Sequence, residues 1–340
     1  MQYRSLGRTG VQVSELCLGC MMFGGKTDEA DSIAIIDRAI DAGINFLDTA
    51  NVYSRGRSEE VVGKALKQNG KRTRIVLATK VHGQMDPDDP NGRGVSRRHI
   101  IAQCEESLKR LQTDYIDLYQ MHRPMSSIPI DESLRALDDL VRSGKVRYIG
   151  TSNFAAWQMV ESLWVSKEWG LNRFVSTQPP YNMMDRRVER ELVPMSLTYG
   201  IAIIPWSPLA GGFLTGKYRR GEKPPQGARH EHRTFDTTRA LFADRAFDVV
   251  ETVEKIAKEK GCSPSQFALA WCKEQPGITS PIIGPRTLEQ LEDNLGAVNI
   301  AVTPEDMARI DEVAPPGRAV SPYYQPDVIN TDFGPHPYRW

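Results

Sequence analysis

Residues 44–53 read Ile44-Asn45-Phe46-Leu47-Asp48-Thr49-Ala50-Asn51-Val52-Tyr53. A short apolar run ends on a carboxylate, and a phenol follows close behind. The pattern recurs down the chain. Ile75-Val76-Leu77-Ala78-Thr79 ends at Lys80, and Ile116-Asp117-Leu118-Tyr119-Gln120-Met121 ends at His122. A buried strand places its terminal polar residue at one rim of the sheet, and in a parallel barrel that rim is where chemistry is done. Outward from these runs, apolar segments alternate with helix-like ones from end to end, as βαβ units do. Candidate strands are 15–20, 44–48, 74–79, 115–121, 145–149, 173–178, 200–206 and 278–283. Eight strands suffice to close a parallel barrel. The expectation is an α/β chain folded as one (β/α)8 TIM barrel over residues 1–340, its core spanning about 14–300.

Amphipathic stretches fill the gaps. Asp31–Asp41 sets Ile33, Ile36, Ala39 and Ile40 on one face, and Arg98–Arg110 is a second such helix. Ser58 and Ser152-Asn153 stand where helix starts are expected, a helix lies near 287–297, and Thr303-Pro304-Glu305 opens another. Tyr3–Val13, with Gly7-Arg8-Thr9-Gly10 at its centre, reads as a hairpin closing the barrel floor. The 207–243 stretch is rich in Gly, Pro, Arg and His without an apolar period; loops this long are functional or disordered. The tail from about 315 to 340 carries Tyr323, Tyr324, Phe333, Tyr338 and Trp340, too many aromatics for a disordered segment. Docking on the body, or on a second copy in a homo-oligomer, is expected.

Hydrophobic residues at 40% and charged residues at 25% fit a globular enzyme. Lys+Arg and Asp+Glu are both 43, so a nucleic-acid binder with a broad basic footprint is excluded. No apolar run approaches the length that spans a bilayer, and the first residues lack a signal-peptide core. Five cysteines make a disulfide framework improbable, and the expected compartment is the cytoplasm. Cys17-Leu18-Gly19-Cys20 spells C-x-x-C, but strand residues three apart face opposite sides, so both are read as packing residues and no metal is expected.

The four rim residues suit one reaction. A carbonyl receiving hydride develops negative charge on oxygen and must gain a proton. A free phenol is a slow donor at neutral pH. A nearby ammonium favours the phenolate, lowering the tyrosine pKa, and a carboxylate anchors that ammonium. A histidine can orient the carbonyl and stabilise its charge. Tyr53 is then the acid, Lys80 its tuner, Asp48 the anchor and His122 the orienter. Taken singly each could be a cap, a surface charge or a packing residue; their placement after successive strands argues for the set.

In type, order and spacing, these residues resemble the catalytic tetrad of the aldo-keto reductases. Gly43–Ala50 with Ser58-Glu59-Glu60-Val61-Val62-Gly63 looks like the family's first signature, Leu108–Leu118 its second, and Gly144–Phe154 a further block. The likeness runs from Leu6 to about Val313 and resembles the bacterial and potassium-channel β-subunit-like branches. It implies NADPH-dependent reduction of an aldehyde or ketone, a sugar or aromatic carbonyl among them, with the proton from Tyr53.

No G-x-G-x-x-G opens a helix after a strand, so a Rossmann fingerprint is absent; the resemblance implies instead a nicotinamide cofactor extended across the rim. Ser152, Asn153 and Gln178 would hold the carboxamide. Trp206 would stack on the nicotinamide ring, or else pack the barrel top. Ser207, Leu209, Gly212, Leu214 and Lys217 match the loop over the pyrophosphate. Gly284, Arg286, Gln290, Asp293 and Asn294 match the adenosine block, where Arg286 could pair with a 2′-phosphate and so favour NADPH over NADH. Gly284 stands where branches of the family often carry Lys.

Gly211–Tyr218 nearly spells a Walker A loop, but Tyr218 replaces the required Ser/Thr. Asp48, His82 and His122 could serve a metal hydrolase, yet strand one offers no His-x-His. Substrate candidates are Met21, Met22, Phe23, His82, Arg123 and Tyr181; Arg123 either favours an anionic substrate or is a solvated rim charge. A second class of function stays open: a cofactor-binding regulatory module resembling potassium-channel β-subunits.

Overall fold

A computed structural model describes residues 1–228, 231 and 243–320. Strands β1 (Tyr3–Ser5) and β2 (Gln12–Ser14) pair antiparallel, Tyr3 opposite Ser14, forming the expected hairpin. Gly7 turns it at φ 58°, where an added Cβ would lie 2.6 Å from the Val175 carbonyl oxygen. Only glycine permits both that backbone angle and that approach. Leu6 and Val13 are fully buried against Cys17, Phe46, Ala78, Leu118 and Val175, so the hairpin plugs the barrel's lower end.

Eight parallel strands follow: β3 (Cys17–Gly19), β4 (Phe46–Asp48), β5 (Val76–Val81), β6 (Ile116–Met121), β7 (Val146–Ser152), β8 (Phe174–Gln178), β9 (Ala202–Ile203) and β10 (Ile282–Ile283). Neighbours run β10-β3-β4-β5-β6-β7-β8-β9. The ring closes where the Thr279 N–H donates to the Ile203 carbonyl at 2.8 Å and the Ile282 N–H to the Pro205 carbonyl at 2.8 Å. This is the (β/α)8 TIM barrel expected.

Helices α1 (Glu29–Asp41), α2 (Arg57–Gln68), α3 (Arg97–Leu111), α4 (Ile130–Arg142), α5 (Ala156–Trp169), α6 (Leu192–Tyr199), α7 (Asp244–Lys260), α8 (Pro264–Lys273), α9 (Leu288–Gly296) and α10 (Pro304–Val313) surround the strands. None in the described residues is long and apolar enough to cross a membrane. In α1 the buried positions are Ser32, Ile35, Ile36 and Ala39; Ile33 and Ile40 are only partly covered, so the face is rotated from the expected one.

Strands β5 and β7 outrun their expected ends at 79 and 149, while β9 and β10 are shorter than expected. Pro205 and Pro281 adjoin those short strands, and proline cannot donate to a ladder. The expected helix start at Ser58 is corrected: Gly56, at φ 91°, precedes α2, and the Ser58 hydroxyl donates to the Cys20 carbonyl at 2.7 Å. A helix, α5, does follow Ser152-Asn153, with Ala155 at its cap. Thr303 does cap α10, its side chain accepting from the Asp306 N–H.

Within the 207–243 segment, residues 207–228 are better anchored than their composition suggests, while 229–230 and 232–242 lie outside the described residues. Ala210–Thr215 forms a 3-10 turn, and Phe213, Leu214 and Tyr218 are buried. Phe213 stacks on Tyr218 at 5.5 Å. The chain after α10 meets the body where the Val320 N–H donates to the Met184 carbonyl at 2.8 Å. Tyr323, Tyr324, Phe333, Tyr338 and Trp340 lie outside the described residues.

Candidate active site

The two-residue period of a strand explains how the site assembles. Phe46, Ala78 and Leu118 belong to the cluster inside the barrel. Two residues further along each strand come Asp48, Lys80 and Gln120, on the same inward face and one layer nearer the rim. His122 follows β6, its N–H donating to the Val81 carbonyl at 2.9 Å.

Lys80 has no exposed surface and Asp48 only 3%. A buried ammonium must be paired and hydrogen-bonded. Lys80 Nζ donates to Asp48 Oδ1, to the Thr49 carbonyl at 2.8 Å and to the Tyr53 hydroxyl at 3.3 Å, which uses its three protons. Asp48 Oδ2 accepts from Gln178 Nε2 at 2.9 Å and Gln120 Nε2 at 3.0 Å. The half-buried Tyr53 ring meets His122 edge to face, centroids 5.6 Å apart and planes at 82°.

Electrostatics give each group a definite state. Burial works against the charge on Lys80, but Asp48 and Tyr53 outweigh it and hold the ammonium above its usual pKa. For Tyr53, burial is the larger influence and raises the phenol; Lys80 pulls down as expected, without prevailing. The sequence-based expectation of a lowered phenol is thus corrected: Tyr53 stays protonated at neutral pH. Burial, then the charges of Lys80, Arg123 and His82, push His122 well below the usual histidine range. It remains neutral where an ordinary imidazole would titrate.

Tyr53 sits on a constrained turn. Ser54 (φ 48°) and Arg55 (φ 55°) adopt left-handed backbone and Gly56 follows at φ 91°. A non-glycine residue there costs about 1–2 kcal/mol, and such conformations cluster at functional sites. Ser54→Gly is expected to raise the unfolding free energy by about 1 kcal/mol, read from denaturant midpoints. A lower midpoint would show that the Ser54 side chain stabilises the turn more than its backbone angle costs.

The remaining rim residues form a continuous row. The Ser152 hydroxyl donates to the Gln178 carbonyl at 2.8 Å. Asn153, left-handed at φ 63°, donates through Nδ2 to the His122 carbonyl at 2.9 Å, and its Oδ1 accepts from Trp206 Nε1 at 3.2 Å. Ser207 (φ 56°), Ala210 (φ 50°), Gly211 (φ 66°) and Gly212 (φ 93°) make a run of left-handed turns, with Leu209 half-buried among them. Lys217 Nζ lies 2.8 Å from where a Gly212 Cβ would be, while Leu214 is wholly buried and has no surface to offer a ligand. Gly284 follows β10 with open space at its Cβ position. The Arg286 N–H donates to Gln290 Oε1 at 2.9 Å; Asp293 is half-buried and Asn294 buried on α9.

Among substrate candidates, Met21 and Met22 have exposed surface, and His82 and Arg123 are half-buried beside His122. Phe23 at 0% and Tyr181 at 1% exposure have none to offer. Phe23 packs in the core, and the Tyr181 hydroxyl donates to Glu189 at 2.6 Å. Cys17 lies in the inner cluster and Cys20 in the outer one, on opposite faces of the strand. Sequence reasoning missed Gln120, although counting two residues from Leu118 or His122 would have placed it inside the barrel.

Comparisons with known proteins identify the family. The model of the family described as "Aldo/keto reductase family" matches residues 15–315. An uncharacterized oxidoreductase of Bacillus subtilis is 42% identical, the match covering 93% of this chain and 96% of that one. A protein of Oryza sativa subsp. japonica named "Probable voltage-gated potassium channel subunit beta" is 37% identical, covering 92% and 96%. The versiconal hemiacetal acetate reductase of Aspergillus parasiticus is 35% identical, covering 95% and 99%.

Proposed function

This chain belongs to the aldo/keto reductase family and is an NAD(P)H-dependent oxidoreductase, and from that premise we propose that it uses NADPH to reduce an aldehyde or ketone to an alcohol. The observation that carries this reading is the buried Asp48–Lys80 pair, whose ammonium reaches the Tyr53 hydroxyl at 3.3 Å with His122 at the edge of the Tyr53 ring. A bound nicotinamide supplies hydride from its C4. The chain's own residues would do the rest. Tyr53 donates its proton to the carbonyl oxygen, Lys80 stabilises the phenolate left behind, and Asp48 keeps Lys80 charged and oriented. Neutral His122 offers an N–H to the same oxygen.

The donor set fits such a cofactor. Ser152, Asn153 and Gln178 supply the mixed donors and acceptors a carboxamide needs, and Trp206 offers a flat apolar face. Lys217 and Arg286 complement phosphate charge, and the left-handed run at Ser207–Gly212 lets backbone approach a diphosphate. Met22, His82 and Arg123 would border a substrate of mixed apolar and polar character, such as an aromatic or sugar carbonyl.

Mixing the protein with NADPH and a panel of small aldehydes is expected to give absorbance loss that requires the carbonyl. A second reading, a cofactor-binding regulatory module, draws support from the name of the rice relative. It would be favoured by tight NADPH binding with flat traces across the panel. For cofactor choice, Arg286→Ala is expected to raise the KM for NADPH far more than that for NADH. Equal changes would show that Arg286 does not read the 2′-phosphate.

A further inference from the structure

We infer that Gln120 is a positioning residue that locks the amide of Gln178 in one orientation and so couples the Asp48–Lys80 pair to cofactor binding. The inference rests on the proposed role of Gln178 in holding the nicotinamide carboxamide. Gln120 is fully buried inside the barrel, where an apolar side chain would be the cheaper choice. Its Nε2 donates to Asp48 Oδ2 at 3.0 Å, and its Oε1 accepts from Gln178 Nε2 at 3.3 Å. Gln178 Nε2 also donates to that same Asp48 oxygen at 2.9 Å.

The chemistry fixes which end of each amide is which. A carboxylate only accepts, so both glutamines must turn their NH2 groups to Asp48. With Nε2 committed inward, Gln178 presents Oε1 to a ligand as an acceptor. That suits the NH2 end of a carboxamide. Without Gln120, Gln178 keeps one inward partner and loses the acceptor that completes its orientation.

The neighbouring strand makes room for this arrangement. Gln120 pairs in register with Gly150 of β7. A Cβ at Gly150 would lie 3.2 Å from Gln120 Cγ and 2.4 Å from the Ser176 hydroxyl. Glycine here is explained by crowding from adjacent side chains, since its φ is not in the left-handed region.

The test is calorimetric titration of the full-length protein with NADPH, without substrate, across a pH series. Gln120→Met keeps the volume and removes both hydrogen bonds; it is expected to weaken NADPH binding about tenfold with little pH dependence of its own. Gln120→Glu is nearly isosteric. Protonated, it can still donate to Asp48; ionised, it repels Asp48 and draws the Gln178 amide to itself. Burial and the neighbouring carboxylate raise such an acid's pKa, so the affinity of Gln120→Glu should approach wild type in acid and fall as pH rises. A purely structural role would lower thermal stability without that pH dependence. Wild-type affinity in Gln120→Met, or a Gln120→Glu affinity that follows wild type at every pH, overturns the inference. Failure of the wild-type protein to bind NADPH would instead overturn the proposed function on which it stands.

Discussion

Tyr53→Phe is expected to lower turnover by about 10²–10⁴ while leaving NADPH affinity near that of the wild type. The substitution removes one oxygen and keeps the ring that meets His122 edge to face. Lys80 keeps Asp48 and the Thr49 carbonyl as partners, so the buried pair survives. What disappears is the proton source for the carbonyl oxygen. Steady-state rates over a range of aldehydes, with cofactor affinity measured separately, check both halves. Turnover within a few-fold of wild type would mean that the proton comes from elsewhere.

Lys80→Met is expected to have the largest effect on the folded state. It leaves the Asp48 carboxylate buried without its cation, and breaking a buried pair in this way costs about 3–5 kcal/mol. Gln120 and Gln178 still donate to Asp48 Oδ2, which should hold the loss toward the lower end. The pH dependence has a definite sign. Because Lys80 is held above its unfolded pKa, its contribution is fully present below about 10.4 and fades as pH rises through its folded value. The part of the gap between wild type and Lys80→Met that comes from the Lys80 charge should therefore be lost only in strong alkali. Unfolding midpoints in denaturant at neutral and alkaline pH measure it. A variant as stable as wild type would show that Asp48 is protonated or hydrated once Lys80 is gone.

The barrel was legible because buried parallel strands write themselves as apolar runs, and each run near Asp48, Lys80 and His122 ends on a polar residue at the rim. The floor hairpin was legible through Gly7 and Gly10. Less visible was anything decided by contacts between distant segments. Gln120 looks like one polar residue in an apolar strand until Asp48 and Gln178 are seen around it. Phe23 and Tyr181 lie close in sequence to rim positions, yet packing turns both inward. Ser58 has the residue type of a helix cap, but its hydroxyl is taken by the Cys20 carbonyl just past β3. The phenol of Tyr53 shows the same limit. Proximity to Lys80 was readable, whereas the burial that outweighs it was not.

The most direct measurement is a crystal structure of the protein with oxidised NADP. The account predicts the nicotinamide ring against Trp206, its carboxamide among Ser152, Asn153 and Gln178, and its C4 face open toward the Tyr53 hydroxyl and His122. A nicotinamide bound away from that rim, with Tyr53 and Lys80 facing neither the ring nor a space for substrate beside it, would contradict the account.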